Sequence, residues 1–229
     1  MTILLASCLA LLLAACGGRP APVQRPPVRL PPPDLNAPAG ARIGDQLRQL
    51  NNDARLCHAL LDRANGLSVM RLADTREGPG CGLTDAARIT RAPIPLARPV
   101  PLTCPMIAGF HLWTREVVQP AARRHFGTDV QSIETFGSFA CRNRNGQPGT
   151  RISEHATANA LDVSGFILAD GRRIPVEAGW ISPYATTRGF LREIHKGACR
   201  YFSVVLGPDA DRFHRNHIHV DMGPWTKCQ

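Results

Sequence analysis

The chain has 229 residues, with 27 Lys and Arg against 18 Asp and Glu, giving a formal net charge of +9. Once the N-terminal segments are set aside, that length suits one domain with a real core, and no internal repeat argues for an array. The basic excess is almost all arginine, since only Lys196 and Lys227 are lysines. It is compatible with anionic glycan or lipid headgroups, while the lack of an aromatic-rich basic stripe argues against nucleic acid.

Residues 1–15, MTILLASCLALLLAA, form a short apolar segment with no charged side chain, too short for a comfortable membrane span. It reads as an export signal. Leu13-Ala14-Ala15-Cys16 resembles a bacterial lipobox, which implies lipid on Cys16 and a mature protein tethered in the periplasm. Gly17 is unlike the Asp-type signal that retains lipoproteins at the inner membrane, so the outer membrane is expected. A plain secretory signal with an incidental cysteine fits the same residues, and no Lys or Arg precedes the apolar run.

Residues 16–42 then hold Cys16 and a proline-dense stretch without apolar periodicity. This composition favours extended polyproline II and predicts a semi-rigid spacer. The folded domain is expected over 43–229.

Within it, Leu56, Leu60 and Leu61 share one face of a helix predicted over 52–64, with Asn65-Gly66 as its stop. A short strand is expected at 67–72, then loops or short strands over 74–103. Met106, Ile107, Phe110, Trp113, Val117 and Val118 recur at helical spacing and predict a core-facing helix over 105–126. Pro120 should kink or split it and Gly127 should end it. Strands are predicted at 130–139 and 160–168, with a polar loop over 142–150 between them. Asp170-Gly171 signals a hairpin returning over 172–177. Ser182 with Pro183 looks like the start of a helix running to about Gly197. Strands at 201–206 and 217–222 complete an α+β chain with a central antiparallel sheet flanked by helices.

Six cysteines remain after the signal and Cys16: Cys57, Cys81, Cys104, Cys141, Cys199 and Cys228. An even number in an exported domain predicts three disulfides, and no CxxC pair suggests a zinc ribbon. Sequence leaves the connectivity open. A local pairing of Cys57 with Cys81, with Cys104–Cys228 and Cys141–Cys199 tying the domain's ends and bracing the loop, is the working expectation.

Two segments carry chemistry. In His214-Arg215-Asn216-His217-Ile218-His219-Val220-Asp221, strand alternation would put His217, His219 and Asp221 on one face and Ile218, Val220 and Met222 in the core. Two imidazoles on one face suit a metal, or a base beside one. In Ser153-Glu154-His155 to Asp162, a histidine in a polar turn precedes a buried aspartate that needs a partner. Together they offer two His and one Asp, with a position left open for water, the usual catalytic zinc arrangement.

The pattern S-x-H-x(6)-D followed by H-x-H resembles that of zinc peptidases. These include D-alanyl-D-alanine carboxypeptidases, lysostaphin-type and penicillin-insensitive murein endopeptidases, and the hedgehog signalling domain. Residues 43–229 as a whole resemble the bacterial extensin-like C-terminal domain family, through FGSFACRN (136–143), SEHATANALDVSGF (153–166), GACRYFSVVLGP (197–208) and HRNHIHVDMG (214–223). The resemblance implies a hedgehog- or DD-peptidase-like fold and one zinc ion held by His155, Asp162 and His219. It implies His217 as the catalytic base, His214 as a further active-site histidine and Arg142 as a substrate contact. An ordinary surface role fits Arg142 equally well. Ser153 is expected to be structural. Asp221 is expected to orient an imidazole or merely to close the strand end. Two departures stand out: Ala158 replaces the glycine usual three residues after the first ligand, and Asn216 replaces the glutamate base of the dipeptidases. The implied activity is hydrolysis of amide bonds in peptidoglycan stem peptides or cross-links by a monomer. The alternative is a non-catalytic zinc-containing wall-binding module of the same fold.

Overall fold

The computed structural model describes residues 29–229. The expected signal, the lipidation of Cys16 and the first part of the spacer lie outside the described residues. No helix among the described residues is long and apolar enough to cross a membrane.

Within the expected spacer, residues 35–39 lie against the folded domain. Leu35 is buried at 2 % exposure. The Arg115 guanidinium donates to the carbonyls of Leu35 and Ala37, and the Ala39 amide donates to Glu116. A single anchoring leucine among prolines leaves no periodicity to read, so this strap looks like linker in sequence.

Helices α1 (Ile43–Gln49) and α2 (Ala54–Leu61) follow, the second capped by the Asp53 side chain, which accepts from the Leu56 amide. Strands β1 (Ser68–Arg71), β2 (Ala86–Arg91) and β3 (Pro101–Thr103) form a small antiparallel sheet in that order.

The apolar stretch from 104 forms α3 (Cys104–Trp113) and α4 (Gln119–Phe126), joined by a π turn over Thr114–Val118. Pro120 has no N–H to give to the preceding turn, and the wider π turn just before it takes up the mismatch. Gly127 closes the run in the left-handed region at φ 70°. Trp113 is fully buried. Its ring meets Phe110, Phe166 and Phe202 edge-on, with centroids 6.1–6.5 Å apart, and its indole N–H donates to the Ile194 carbonyl at 3.0 Å. The helix can lie this close to the chain beneath because residue 109 is glycine. A Cβ there would stand 2.7 Å from the Met222 methyl carbon.

The larger sheet has the order β4-β5-β8-β7-β9, with β6 pairing β5 off that path. Its strands are β4 (Val130–Gly137), β5 (Ala160–Leu168), β6 (Arg173–Pro175), β7 (Val204–Leu206), β8 (Ile218–Asp221) and β9 (Lys227–Cys228). All pairs are antiparallel except β7 with β9. Helices α5 (Val176–Trp180) and α6 (Ala185–Ala198) lie between β6 and β7. Ser182 does not cap α6. Its hydroxyl accepts from the Tyr184 amide in the turn that approaches the helix. The class is therefore mixed α+β, with two sheets rather than the single central one expected.

The cysteine connectivity corrects all three expected pairs. Cys57 on α2 joins Cys104 at the start of α3, Cys81 joins Cys141, and Cys199 after α6 joins Cys228 on β9. The Cα separations of 6.0, 5.6 and 5.7 Å suit disulfides. Cys57 passes over its neighbour in sequence because α2 packs on α3, while Cys81 lies in a loop facing the one that leads to the site. Removing Cys57–Cys104 with paired Ser substitutions is expected to cost about 2–4 kcal/mol. Urea unfolding measures that cost, and non-reducing peptide mapping should still find the other two bridges.

Candidate metal centre

Each candidate ligand reaches the site by a different local rule. His155 sits in a single 3-10 turn, Glu154–Thr157, opened by Ser153, whose hydroxyl accepts from the His155 amide at 3.3 Å. Ala158 closes that turn in the left-handed region at φ 55°, ψ 24°. That region favours glycine over a residue with a Cβ. Asp162 lies on β5 and His219 on β8, and the register sets them directly opposite each other. Along β8, Ile218, Val220 and Met222 turn inward at 0, 0 and 1 % exposure, leaving His219 and Asp221 on the opposite face with His217 just before the strand.

Hydrogen bonds fix the imidazole tautomers. The His155 Nδ1 lies 3.2 Å from the Ser138 carbonyl, which can only accept, so this nitrogen carries the proton. The His219 Nε2 lies 3.1 Å from Asp221 Oδ2 and donates to it, while Asp221 Oδ1 accepts from the Gly223 amide. The lone pairs of His155 Nε2 and His219 Nδ1 are thereby aimed at each other and at Asp162 Oδ1. The three atoms lie 3.2, 3.1 and 2.9 Å apart. Three acceptors facing one point repel unless a proton or a cation lies among them. Ligand atoms on a tetrahedral zinc, with bonds of about 2.0–2.1 Å, stand roughly 3.3 Å apart, and two nitrogens with one carboxylate oxygen are donors zinc accepts. The residues present fit a metal ion. Among the described residues one further cluster brings ligand atoms together, Glu77 with Cys81 and Cys141, but its two sulfurs are spent on each other.

His217 stands beside the trio. Its Nε2 is 3.3 Å from Asp162 Oδ1, and its Nδ1 donates to the Asn216 side-chain oxygen at 2.8 Å. His214 is held through Nδ1 by Asp211 at 2.7 Å, with its ring centroid 5.2 Å from that of His217. A cavity of about 240 Å³ opens over the group, lined in part by Arg142, Glu154, His155, His214 and His219. Glu154 is already engaged, accepting from the Asn159 side-chain amide at 2.8 Å.

Residues 55–229 match the family described as extensin-like protein C-terminus. The chain belongs to this family. No curated protein and no solved structure matches it.

In this extensin-like domain the structure brings the residues predicted for metal, catalysis and substrate contact to one locality: His155, Asp162 and His219 in the trio, Ser153 and Asp221 behind it, and His214, His217 and Arg142 around it. Sequence reading missed Ser138, Phe136, Trp225 and Lys227. Ser138 and Phe136 lie within the FGSF stretch, but nothing there shows that a backbone carbonyl orients a ligand. Nor does it show that the Phe136 ring, 61 % exposed, stands edge-on to His217 with centroids 6.0 Å apart.

The electrostatics follow from burial set against hydrogen bonding. In the metal-free chain burial pushes the Asp162 carboxyl up, but hydrogen bonding with His155, His217 and His219, with protons shared among the facing atoms, outweighs it and holds the group well below the usual carboxylate range. Burial lowers His219, yet its bonds to Asp162 and Asp221 prevail and push it up to about 9. His214 is lowered by burial, which Asp211 only partly offsets.

Two outcomes are expected. Ala158→Gly should leave stability unchanged or raise it by up to about 1 kcal/mol, because it removes left-handed strain, where Ala→Gly ordinarily destabilises. Chemical denaturation is the check. In metal-free protein a charged His219 between two carboxylates favours the folded state. With its pKa raised in the fold, that contribution is complete below the unfolded value of about 6.5. It is lost as pH rises towards about 9. Urea unfolding of chelator-treated protein should therefore lose roughly 3 kcal/mol at most across this window, and His219→Gln should flatten the dependence.

Proposed function

We propose that this extensin-like domain is a zinc-dependent peptidase hydrolysing amide bonds in peptidoglycan stem peptides or cross-links. One observation carries the reading: two imidazole lone pairs and a carboxylate oxygen converge beneath an open cavity, with His214 in its lining and His217 beside Asp162. The motif order, which resembles that of zinc peptidases, supports it, and the same reading expects a hedgehog- or DD-peptidase-like fold. The same reading makes the chain a periplasmic monomer anchored through lipid on Cys16, at the outer membrane.

His155, Asp162 and His219 would hold a zinc ion, which would supply Lewis acidity for polarising an amide carbonyl and activating water. Ser138 and Asp221 hold the two ligand rings in the tautomers that present lone pairs inward. His217, with its proton fixed on Nδ1 by Asn216, takes the attacking water's proton at Nε2 and returns it to the leaving amine. An amide at position 216 orients the ring without adding negative charge, so His217 itself does the work that glutamate does in the dipeptidases. His214 is anchored by Asp211 and faces the substrate from the same wall.

A second reading has its own observation. The 3.3 Å approach of His217 Nε2 to Asp162 Oδ1 suits a histidine engaged with the carboxylate rather than with water, which would leave a zinc-containing wall-binding module.

Metal analysis and muropeptide profiling of digested sacculi separate the two. The unsubstituted protein should carry one zinc per chain and remove cross-links or trim stem peptides. His155→Ala and Asp162→Asn should lose the metal. His217→Ala should keep it and lose activity by about 100-fold or more. Loss of zinc from His217→Ala would make this residue a ligand. A zinc-loaded chain that binds sacculi without altering muropeptides would establish the module.

A further inference from the structure

The cavity has a wall that belongs to neither histidine motif. Trp225 and Lys227 line it from the C-terminal tail, together with Arg142 and Arg144 from the 142–150 loop. The tail is fastened rather than draped. The Lys227 and Gln229 amides donate to the carbonyls of Ser203 and Val205 at 3.0 Å each, and the Gly207 amide donates to the Gln229 carbonyl at 2.8 Å. Cys228 is bonded to Cys199. Two residues of strand so firmly held add little to the core, but they fix what precedes them.

The charges in the cavity are unequally committed. Its three carboxylates have partners: Glu154 accepts from Asn159, Asp211 from His214, and Asp221 from His219 and the Gly223 amide. Arg142, Arg144 and Lys227 make no side-chain hydrogen bond or ion pair among the described residues, whereas many arginines elsewhere do. The uncommitted field is therefore cationic. Trp225 lies within it at 48 % exposure, while Trp113 and Trp180 are 0 and 3 % exposed. The Arg151 guanidinium stacks on the Trp225 ring 4.7 Å from its centroid.

We infer that the tail is a recognition wall for an anionic substrate, in which Lys227 with Arg142 and Arg144 takes a free carboxylate and Trp225 carries the adjoining apolar part. This rests on the peptidase reading and narrows it. The cavity that takes the carboxylate also contains His155, His214 and His219, so the scissile amide lies near a free chain end. Trp225, Lys227 and Arg144 are positioning residues. They set which peptide is bound and do not touch the reacting atoms.

The probe is diacetyl-Lys-D-Ala-D-Ala with a free C-terminal carboxylate, set against its C-terminal carboxamide. Binding is measured by titration calorimetry on the zinc-loaded His217→Ala protein, where turnover is suppressed. The free acid should bind about tenfold or more tightly than the amide, and added salt should erode that preference. Lys227→Gln and Arg144→Gln should each shrink the preference to about threefold or less without weakening the carboxamide, and Lys227→Arg should restore it. Trp225→Ala should weaken both peptides alike. Equal affinity for acid and amide overturns the inference. So does a full preference retained in folded Lys227→Gln and Arg144→Gln, and so does absence of binding by either peptide at about 10 mM. A carboxylate preference without cleavage by the unsubstituted chain keeps the wall and defeats the peptidase. Cleavage without the preference does the reverse.

Discussion

The site depends on the register between β5 and β8. With Leu161 against Val220 and Val163 against Ile218, one apolar row is locked in the core, and Asp162 faces His219 on the other side of the sheet. Strand side chains alternate, so a slip of one residue would bury the histidine and expose the apolar row. The hydrophobic core therefore holds a carboxylate against an imidazole at hydrogen-bond distance, although burying such groups is unfavourable in itself. Asp162 keeps its charge because three imidazoles surround it, and each of these is fixed by a partner outside the cluster: Ser138, Asn216 and Asp221.

Ser138 and the turn that carries His155 belong to loops, and these loops are stitched together. The Ala140 amide donates to the His155 carbonyl and the Gly82 amide to the Ala156 carbonyl, both at 3.0 Å. Cys81–Cys141 joins the same two loops covalently. His155 thus sits in a turn clamped from both sides, on a left-handed Ala158 that costs strain, which is how a well-supported functional site tolerates an unfavourable backbone. The neighbouring Gly223 serves the same packing, since a Cβ there would stand 2.7 Å from the Glu154 carboxyl group.

Much of this was legible in the sequence where one dominant signal governed. The apolar run of 160–168 coincides with β5, and alternation over 217–222 correctly sorted Ile218 and Val220 from His219 and Asp221. The stripe through Phe110 and Trp113 announced a buried helix. The candidate trio was readable because strand period and motif spacing chose the same residues. What escaped reading depends on contacts between distant segments. Leu35 anchors a strap with no repeat around it. Two-residue β9 exists only because β7 accepts it, and the second sheet forms from strands scattered over a Gly- and Pro-rich stretch. Cysteine pairing failed for the same reason, since sequence proximity says nothing about which loops fold face to face.

The resulting wiring has a consequence for how the protein is made. The pairs Cys57–Cys104 and Cys81–Cys141 interleave along the chain, while Cys199–Cys228 closes on its own. Among the six paired cysteines, a chain oxidised in the order it emerges would first meet Cys57 with Cys81, a link the native fold does not contain. Maturation then requires that bond to be attacked by a thiolate and exchanged. Yield of correctly joined protein should follow the capacity of its compartment for thiol–disulfide shuffling more closely than the supply of oxidant.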